Sequence, residues 1–491
     1  MLLEINLRWG YFTRNLFDRP GASPYSSSSV YEKGAVKIYA KPKKGANVWH
    51  EDQSAMYEEL NIDCLVKKIK EAAKQFPDLR TGKNTQYEME DAAMGAFSVF
   101  FTQSASFLEY QQDMKRHKGR SNAESLFEML EIPSDSQIRV LLDPVEPGYV
   151  KSVFREVYKE LEQGKVLAGM RSHGNSLLVA IDGTEYFSSQ KIHCEQCSQR
   201  ELRNGKINYF HSVLTPVIVQ AGNEHVIALE PEFMTPQDGN EKQDCEIQAG
   251  KRWVSQYGDF YAKQNVTLLG DDLFSRQPFI QALKDKKLHF ILVCKPDSHL
   301  ALYEMVAFLH SNGVLSSYQQ RQWNGQYGEI YTYRYANQLP LRSDQDTIEV
   351  NWCELTIHRE DTGEQLYKNA FCTDFVVLET TVEAIVRDGR ARWKVENENH
   401  NILKTKGYHL EHNFGHGDQH LASLLLALNL LAFLFHTVLD LVDDRYRLIR
   451  QELRTRRKFF QHIETLLCYF VFPSWADLLT FMFKGLELDK T

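Results

Sequence analysis

Three carboxylates stand where they could share a metal ion. Asp182 closes the apolar run Leu177–Ile181, and Asp271 follows Val266–Gly270. In α/β sheets, sites form just beyond the carboxyl ends of strands, and rigid strands can hold two oxygen ligands a few ångströms apart. Glu396 belongs to a helix expected over residues 390–403. Two aspartates and a glutamate suit a hard divalent cation, Mg²⁺ or Mn²⁺, that keeps positions for water and a substrate phosphate. A pair of such ions activates an attacking oxygen and stabilises a leaving one in an in-line phosphoryl transfer. The plainer alternative is a set of solvated strand-end side chains, since the chain carries 65 acidic residues.

His193-Cys194-x-x-Cys197 has metal-ligand spacing, and a Zn²⁺ site there needs a further ligand, His211 or Cys245. Otherwise the two cysteines are free thiols in a reduced turn. His409, His412, His416 and His420 crowd one segment, but Gly415 and Gly417 argue against a continuous helix that would align them. A loop beside a site is the better reading than a histidine metal face. Neither Ser172–Asn175 nor Cys294–Asp297 offers a nucleophile, base and orienter together. The chain has no Gly-x-x-x-x-Gly-Lys-Ser/Thr loop, so no nucleotide cofactor is expected.

The elements that must position these groups follow from periodicity. Residues 61–76 and 88–117 read as helices, the second ending in the basic cluster Lys115, Arg116, Lys118 and Arg120. Residues 121–142 read as helix, turn, helix, with Ser134 as N-cap of the second; a DNA-reading module and two bundle helices give this same pattern. From Ser176 the period falls to two. Strands are expected at 177–181, 210–219, 225–229 and 266–269, with a helix at 244–261 among them, which is the alternation of an α/β core.

Strand signals continue at 288–293, 329–335 and 347–357 while helical signal thins, the mark of a β-rich insertion. One more strand is expected at 374–378, and Thr380-Thr381-Val382-Glu383 reads as a capping box. The run Leu421–Leu439 is long enough to span a bilayer. It contains Ser423, Asn429 and His436 and runs into Asp440, so a buried core helix is expected instead. The basic stretch Arg445–Lys458 is either a phosphate-binding helix or a solvated one.

Three blocks carry a resemblance: Val179-Ala180-Ile181-Asp182-Gly183-Thr184, Leu268-Leu269-Gly270-Asp271-Asp272-Leu273-Phe274 and Arg392-Trp393-Lys394-Val395-Glu396. In order and strand context they resemble the DDE transposases of bacterial insertion sequences, in the branch with a β-strand insertion before the catalytic glutamate. The likeness covers about residues 134–436, with 89 residues from Asp182 to Asp271 and 125 from Asp271 to Glu396. It implies a ribonuclease H-like core in which Asp182, Asp271 and Glu396 bind two Mg²⁺ ions. It also implies cleavage of transposon ends and joining of the 3′-hydroxyl to target DNA by a homodimer. Asp271 is preferred to its neighbour Asp272 because Phe274 matches the family's aspartate-x-x-aromatic spacing.

That branch also carries a tyrosine, arginine, glutamate, lysine signature. Arg392 falls one helical turn before Glu396 and is implied to contact DNA phosphate. The tyrosine position is Gly389, and the lysine position is Leu403 with Lys404 one residue late, so Lys404 and the more distant Lys406 are substitutes. Arg454 and Arg457 are further DNA-contact candidates in the tail.

The expected class is α/β: a ribonuclease H-like core with a β-rich insertion, a helical N-terminal region and a helical C-terminal tail. The expected segments are an irregular arm at 1–60, a helical region binding transposon ends at 61–170, the first part of the core at 171–285, the insertion at 286–372, the second part of the core at 373–440 and the basic tail at 441–491. A metal-dependent nuclease without strand transfer and a catalytically silent DNA-binding relic are the two alternatives.

Composition limits the field. The chain has 491 residues, 43% hydrophobic and 25% charged, within the range of globular proteins and far from disorder or collagen-like repeats. With 57 basic residues and a net charge of −8, a uniformly basic nucleic-acid coat is excluded, whereas local basic patches are not. Eight scattered cysteines and no visible N-terminal signal segment point to a reduced cytoplasm, for a DNA enzyme the nucleoid, with no membrane partner.

Overall fold

Short apolar runs that are buried on both faces suit the interior strands of a sheet covered by helices. Leu177–Ala180 and Val266–Gly270 are buried at every position and form such strands. The computed structural model describes residues 57–81, 85–236 and 245–490; the arm expected at 1–60 lies outside them except for residues 57–60. Along the chain the strands are β1 (Leu177–Ala180), β2 (Gly183–Ser189), β3 (Ser198–Glu201), β4 (Ile207–Leu214), β5 (Val217–Val219), β6 (Ile227–Ala228) and β7 (Glu232–Met234). They continue with β8 (Val266–Gly270), β9 (His289–Val293), β10 (Ser316–Trp323), β11 (Gly328–Pro340), β12 (Glu349–Arg359) and β13 (Gln365–Thr373).

The architecture is mixed α/β. One nine-stranded sheet runs in the order β10-β11-β12-β13-β9-β8-β1-β5-β6. β1 and β8 are parallel, as are β8 and β9, while every other neighbouring pair is antiparallel. A second sheet is built on β4, which pairs with β2, β3 and β7. The two sheets share a ribbon: β1 passes into β2 at Asp182, β4 passes into β5 at Thr215, and the Thr215 N–H donates to the Asp182 carbonyl at 3.0 Å. Asp182 therefore stands where a strand leaves one sheet for the other.

The β-rich region is continuous with the core, because β9 pairs in parallel with β8 and β13 pairs with β9 through Phe371–Val293, Cys372–Leu292 and Thr373–Ile291. The strand expected at 374–378 does not form; that segment is irregular, and β13 ends at Thr373. The Asp374 carboxylate accepts the Phe290 N–H and the Asn337 side chain accepts the Val377 N–H, so side chains satisfy a backbone that needs no ladder. The expected capping box is also absent, since Thr381 makes no side-chain cap and its hydroxyl accepts from the Leu378 N–H.

The helices at the two ends of the chain form one body. Leu421–Val442 packs against Met89–Phe101, Gly148–Gln163 and β6. It is long and apolar enough to cross a bilayer, with a mean hydropathy of 2.1, yet 89% of that apolar window is buried inside the molecule. The expected helix at 88–117 breaks into Met89–Phe101 and Phe107–Met114. His117–Phe127 and Asp135–Leu142 follow, and the Ser134 hydroxyl caps the latter by accepting the Gln137 N–H at 3.3 Å.

Asn122, fully buried, joins the two ends of the chain. Its side chain donates to the carbonyls of Leu467 and Phe470 at 2.9 and 2.8 Å and accepts the Phe472 N–H at 2.9 Å. Asn122→Ala strands all three partners. It is expected to lower the unfolding free energy by about 2–4 kcal/mol in urea denaturation, the range for unsatisfied buried groups.

Candidate active site

The β1–β8 register pairs Ala180 with Leu269, and the Ile181 N–H donates to the Leu269 carbonyl at 2.9 Å. Continued by two residues, it sets Asp182 beside Asp271, on strands about 4.8 Å apart. Asp271 is held by its own turn: its carboxylate accepts the Leu273 N–H at 2.9 Å and its carbonyl the Phe274 N–H at 3.1 Å. Phe274 is fully buried and packs closely on Gly270. The neighbouring Asp272 is engaged elsewhere, accepting the Lys295 N–H at 2.7 Å and the Ser298 hydroxyl at 2.6 Å. Its carboxylate closes a loop.

Glu396 does not sit on a regular helix over 390–403. A 3₁₀ turn, Ala391–Trp393, leads into a π-helical turn, Val395–His400, and then a short α-helix, Asn401–Thr405. π-Turns recur at functional sites because the extra residue re-aims side chains. Arg392, with its side chain 8% exposed, donates through Nη1 to Glu396 Oε1 at 2.9 Å, and its guanidinium lies 4.8 Å from the Trp393 ring centre. Its Nε is buried and unpartnered.

A fourth carboxylate joins these three. Glu246 opens the helix Glu246–Lys263, and its carboxyl group lies against the Gly183 Cα so closely that a Cβ there would be 2.6 Å from it. Burial raises the Asp182 carboxyl from 3.8 to about 7, with Glu246 and then Glu396 adding to the rise, Arg392 opposing it and Asp271 contributing least. Glu246 is itself raised by burial and by Asp271. The helix at 244–261 is expected from the sequence, but its first glutamate has no motif; the tight residue Gly183 beside Asp182 is the only sequence signal for it.

Gly183→Ala is expected to cost about 1–3 kcal/mol through this overlap, the range for overpacking. In a urea-denaturation cycle, Glu246→Ala should relieve most of that cost, a coupling that independent sites would not show.

Imidazole support completes the site. His400 Nε2 is 2.7 Å from the Thr215 hydroxyl, which also accepts from the Asn399 side chain at 3.0 Å. His400 Nδ1 is 3.8 Å from Asp182 Oδ2. Burial lowers the His400 pKa to about 4, so this contact joins a neutral ring to the carboxyl group and is no ion pair near neutrality.

Other sequence candidates lie apart. Lys404 is bound to Glu411 at 2.9 Å, Leu403 is buried, and a Cβ on Gly389 would lie 2.8 Å from the Phe371 ring, leaving no room for a tyrosine. Arg454 and Arg457 are exposed, whereas the intervening Arg456 donates to the Tyr408 hydroxyl at 2.8 Å inside the helical body. Cys194 and Cys197 meet His211 and His416. The expected ligand His193 is not among them: its ring stacks on Tyr209 with centroids 4.4 Å apart, and its Nδ1 lies 3.2 Å from the Lys191 carbonyl. Cys245, the other possible partner, is an exposed residue at the N-terminus of Glu246–Lys263.

A scan against protein-family models and a search of curated proteins return no match to this chain.

Proposed function

We propose that the protein is a DDE transposase that cuts the ends of a mobile DNA element and joins the freed 3′-hydroxyls to target DNA. The observation that carries this reading is the acidic cluster at the carboxyl ends of parallel β1 and β8, where Glu396 and Asp271 both bear on the Asp182 carboxyl group. The strand order β6-β5-β1-β8-β9, with β5 antiparallel and β6, β8 and β9 parallel to β1, supports it as the order of a ribonuclease H-like core.

The cluster fits a divalent cation. Oxygen donors on rigid strand ends carry more negative charge than Arg392 offsets, and burial holds Asp182 near the border of protonation. Asp182, Asp271 and Glu396 are the residues that would hold Mg²⁺ or Mn²⁺, with Glu246 beside them. Bound ions supply the activation of the attacking oxygen and the neutralisation of charge at the scissile phosphate. Arg392 restrains Glu396, and neutral His400 with Thr215 fixes the backbone from which Asp182 projects. The exposed Arg454 and Arg457 suit phosphate contacts, and Lys404 reaches DNA only by leaving Glu411. Two ends require two such sites, hence a dimer on DNA.

The test is a cleavage and joining assay on labelled DNA carrying the element's own ends, with Mg²⁺. Joined products support the reading. Nicks that never join favour a nuclease on the same core, and a folded, end-binding protein without metal-dependent product would mark a silent relic.

A further inference from the structure

Two thiols and two imidazoles from distant parts of the chain converge beneath the second sheet. Cys194 and Cys197 lie between β2 and β3, His211 on β4, and His416 in the segment before the helix Leu421–Val442. Cys194 Sγ and Cys197 Sγ are 3.9 Å apart. His211 Nε2 is 3.6 Å from Cys194 Sγ and 3.4 Å from Cys197 Sγ, and His416 Nε2 is 3.6 Å from Cys197 Sγ. All four atoms lie within 4.8 Å of one another.

Those separations have a geometric meaning. A tetrahedral Zn²⁺ with Zn–S about 2.3 Å and Zn–N about 2.0–2.1 Å has S···S edges of about 3.8 Å and S···N edges of about 3.6 Å. The S···S and the three short S···N distances are those edges, whereas a disulfide requires sulfurs about 2.05 Å apart. The rings are also fixed from behind: His211 stacks on Tyr186 with centroids 5.6 Å apart, and His416 lies 4.2 Å from the Phe187 ring. Cys197, His211 and His416 are buried, which shields the cluster from water.

We propose that Cys194, Cys197, His211 and His416 form a structural Zn²⁺ site. Four protein ligands close the coordination shell, so no position is left for substrate, and sulfur with imidazole selects zinc over Mg²⁺. The site has a mechanical role. β2 begins at Gly183, immediately after Asp182, and the segment bearing His416 is tied through the Asp418 and Gln419 amides to the Asp143 carboxylate at the end of Asp135–Leu142. Zinc thus pins the sheet that continues from Asp182 to the helical body. This site stands independently of the proposed DNA chemistry.

The test is metal analysis of purified full-length protein. We expect about one zinc per chain, released by a mercurial that titrates thiols. Co²⁺ exchanged into the same protein should give the visible d–d bands and thiolate charge-transfer absorption of a tetrahedral S₂N₂ centre. Cys197→Ser and His416→Ala should each lower zinc content at least about tenfold, while His193→Ala and Cys245→Ser keep it. Wild-type Co²⁺ spectra keep the test decisive if a ligand variant fails to fold. Folded wild-type protein with less than about a tenth of an equivalent of zinc and no cobalt bands would overturn the proposal. So would unchanged zinc in folded His416→Ala, or a Cys194–Cys197 disulfide found by mass spectrometry after thiol alkylation.

Discussion

Glu396→Gln is expected to reduce strand joining by roughly a thousandfold or more in the labelled-DNA assay while leaving the fold intact, the size of effect seen when a group acting on transition-state charge is removed. The substitution conserves shape, and the new amide oxygen can still accept the Arg392 Nη1–H that Glu396 Oε1 now accepts at 2.9 Å. The change is therefore one of charge at the acidic cluster. Asp271→Asn should fall as far. Asp272→Asn should retain joining within about tenfold and instead weaken the loop held through Lys295 and Ser298. A Glu396→Gln protein that joins ends at the wild-type rate, or an Asp272→Asn protein that loses all joining while Asp271→Asn keeps it, would refute the assignment of roles.

Metal affinity at the same cluster should rise steeply with pH. Asp182 has a pKa of about 7, raised first by burial and then by Glu246 and Glu396. Below that pH the carboxyl group holds a proton that a cation must displace, so the apparent affinity for Mn²⁺ should fall about tenfold per pH unit below 7 and level off above it. The stability of the metal-free protein runs the other way. The folded state binds this proton more tightly than the unfolded chain, whose value is near 3.8. The resulting stabilisation is complete below about pH 3.8 and is lost as pH rises through 7.

Glu246, also raised, adds in the same direction, whereas His400, held to about 4 in the folded protein against an ordinary 6.5, opposes it. The His400 contribution is complete above about pH 6.5 and is lost as pH falls towards 4, and because it acts with and without metal it cancels from the metal-induced shift. Thermal melting with and without Mn²⁺ at about pH 6 and pH 8 checks both arms. The metal-induced rise in Tm should be several degrees larger at the higher pH, and Asp182→Asn should flatten the difference. Equal metal shifts at the two pH values would remove Asp182 from the metal site.

Elements whose burial is complete are written plainly in this sequence. β1 and β8 are short runs with no polar residue on either face except Thr267, and that pattern has few alternatives once Asp182 and Asp271 end it. Leu421–Val442 is apolar enough by composition to cross a bilayer, and Ser423, Asn429, His436 and Asp440 are what mark it in the sequence as a core helix, as its burial bears out. Ser134 is legible for a local reason: an N-cap needs only its own hydroxyl and an amide three residues on.

Longer-range properties were decided by the tertiary structure. Phe375–Leu378 has the residues of a strand, but Asp374 and Asn337 satisfy the local backbone, and Val376 and Leu378 remain more than half exposed. The segment expected as an insertion at 286–372 contains β9, and only the parallel register of β9 on β8 shows that its strands extend the core sheet. Glu246 enters the acidic cluster because Gly183 leaves its carboxyl group room against the backbone beside Asp182. His416, 219 residues from Cys197, replaces His193 in the sulfur cluster because the helical body carries its segment beneath the second sheet. Periodicity and capping are set by neighbours within a few residues, so sequence determines them; which distant side chains share one small volume depends on how sheets and helices pack, and only the folded chain decides that.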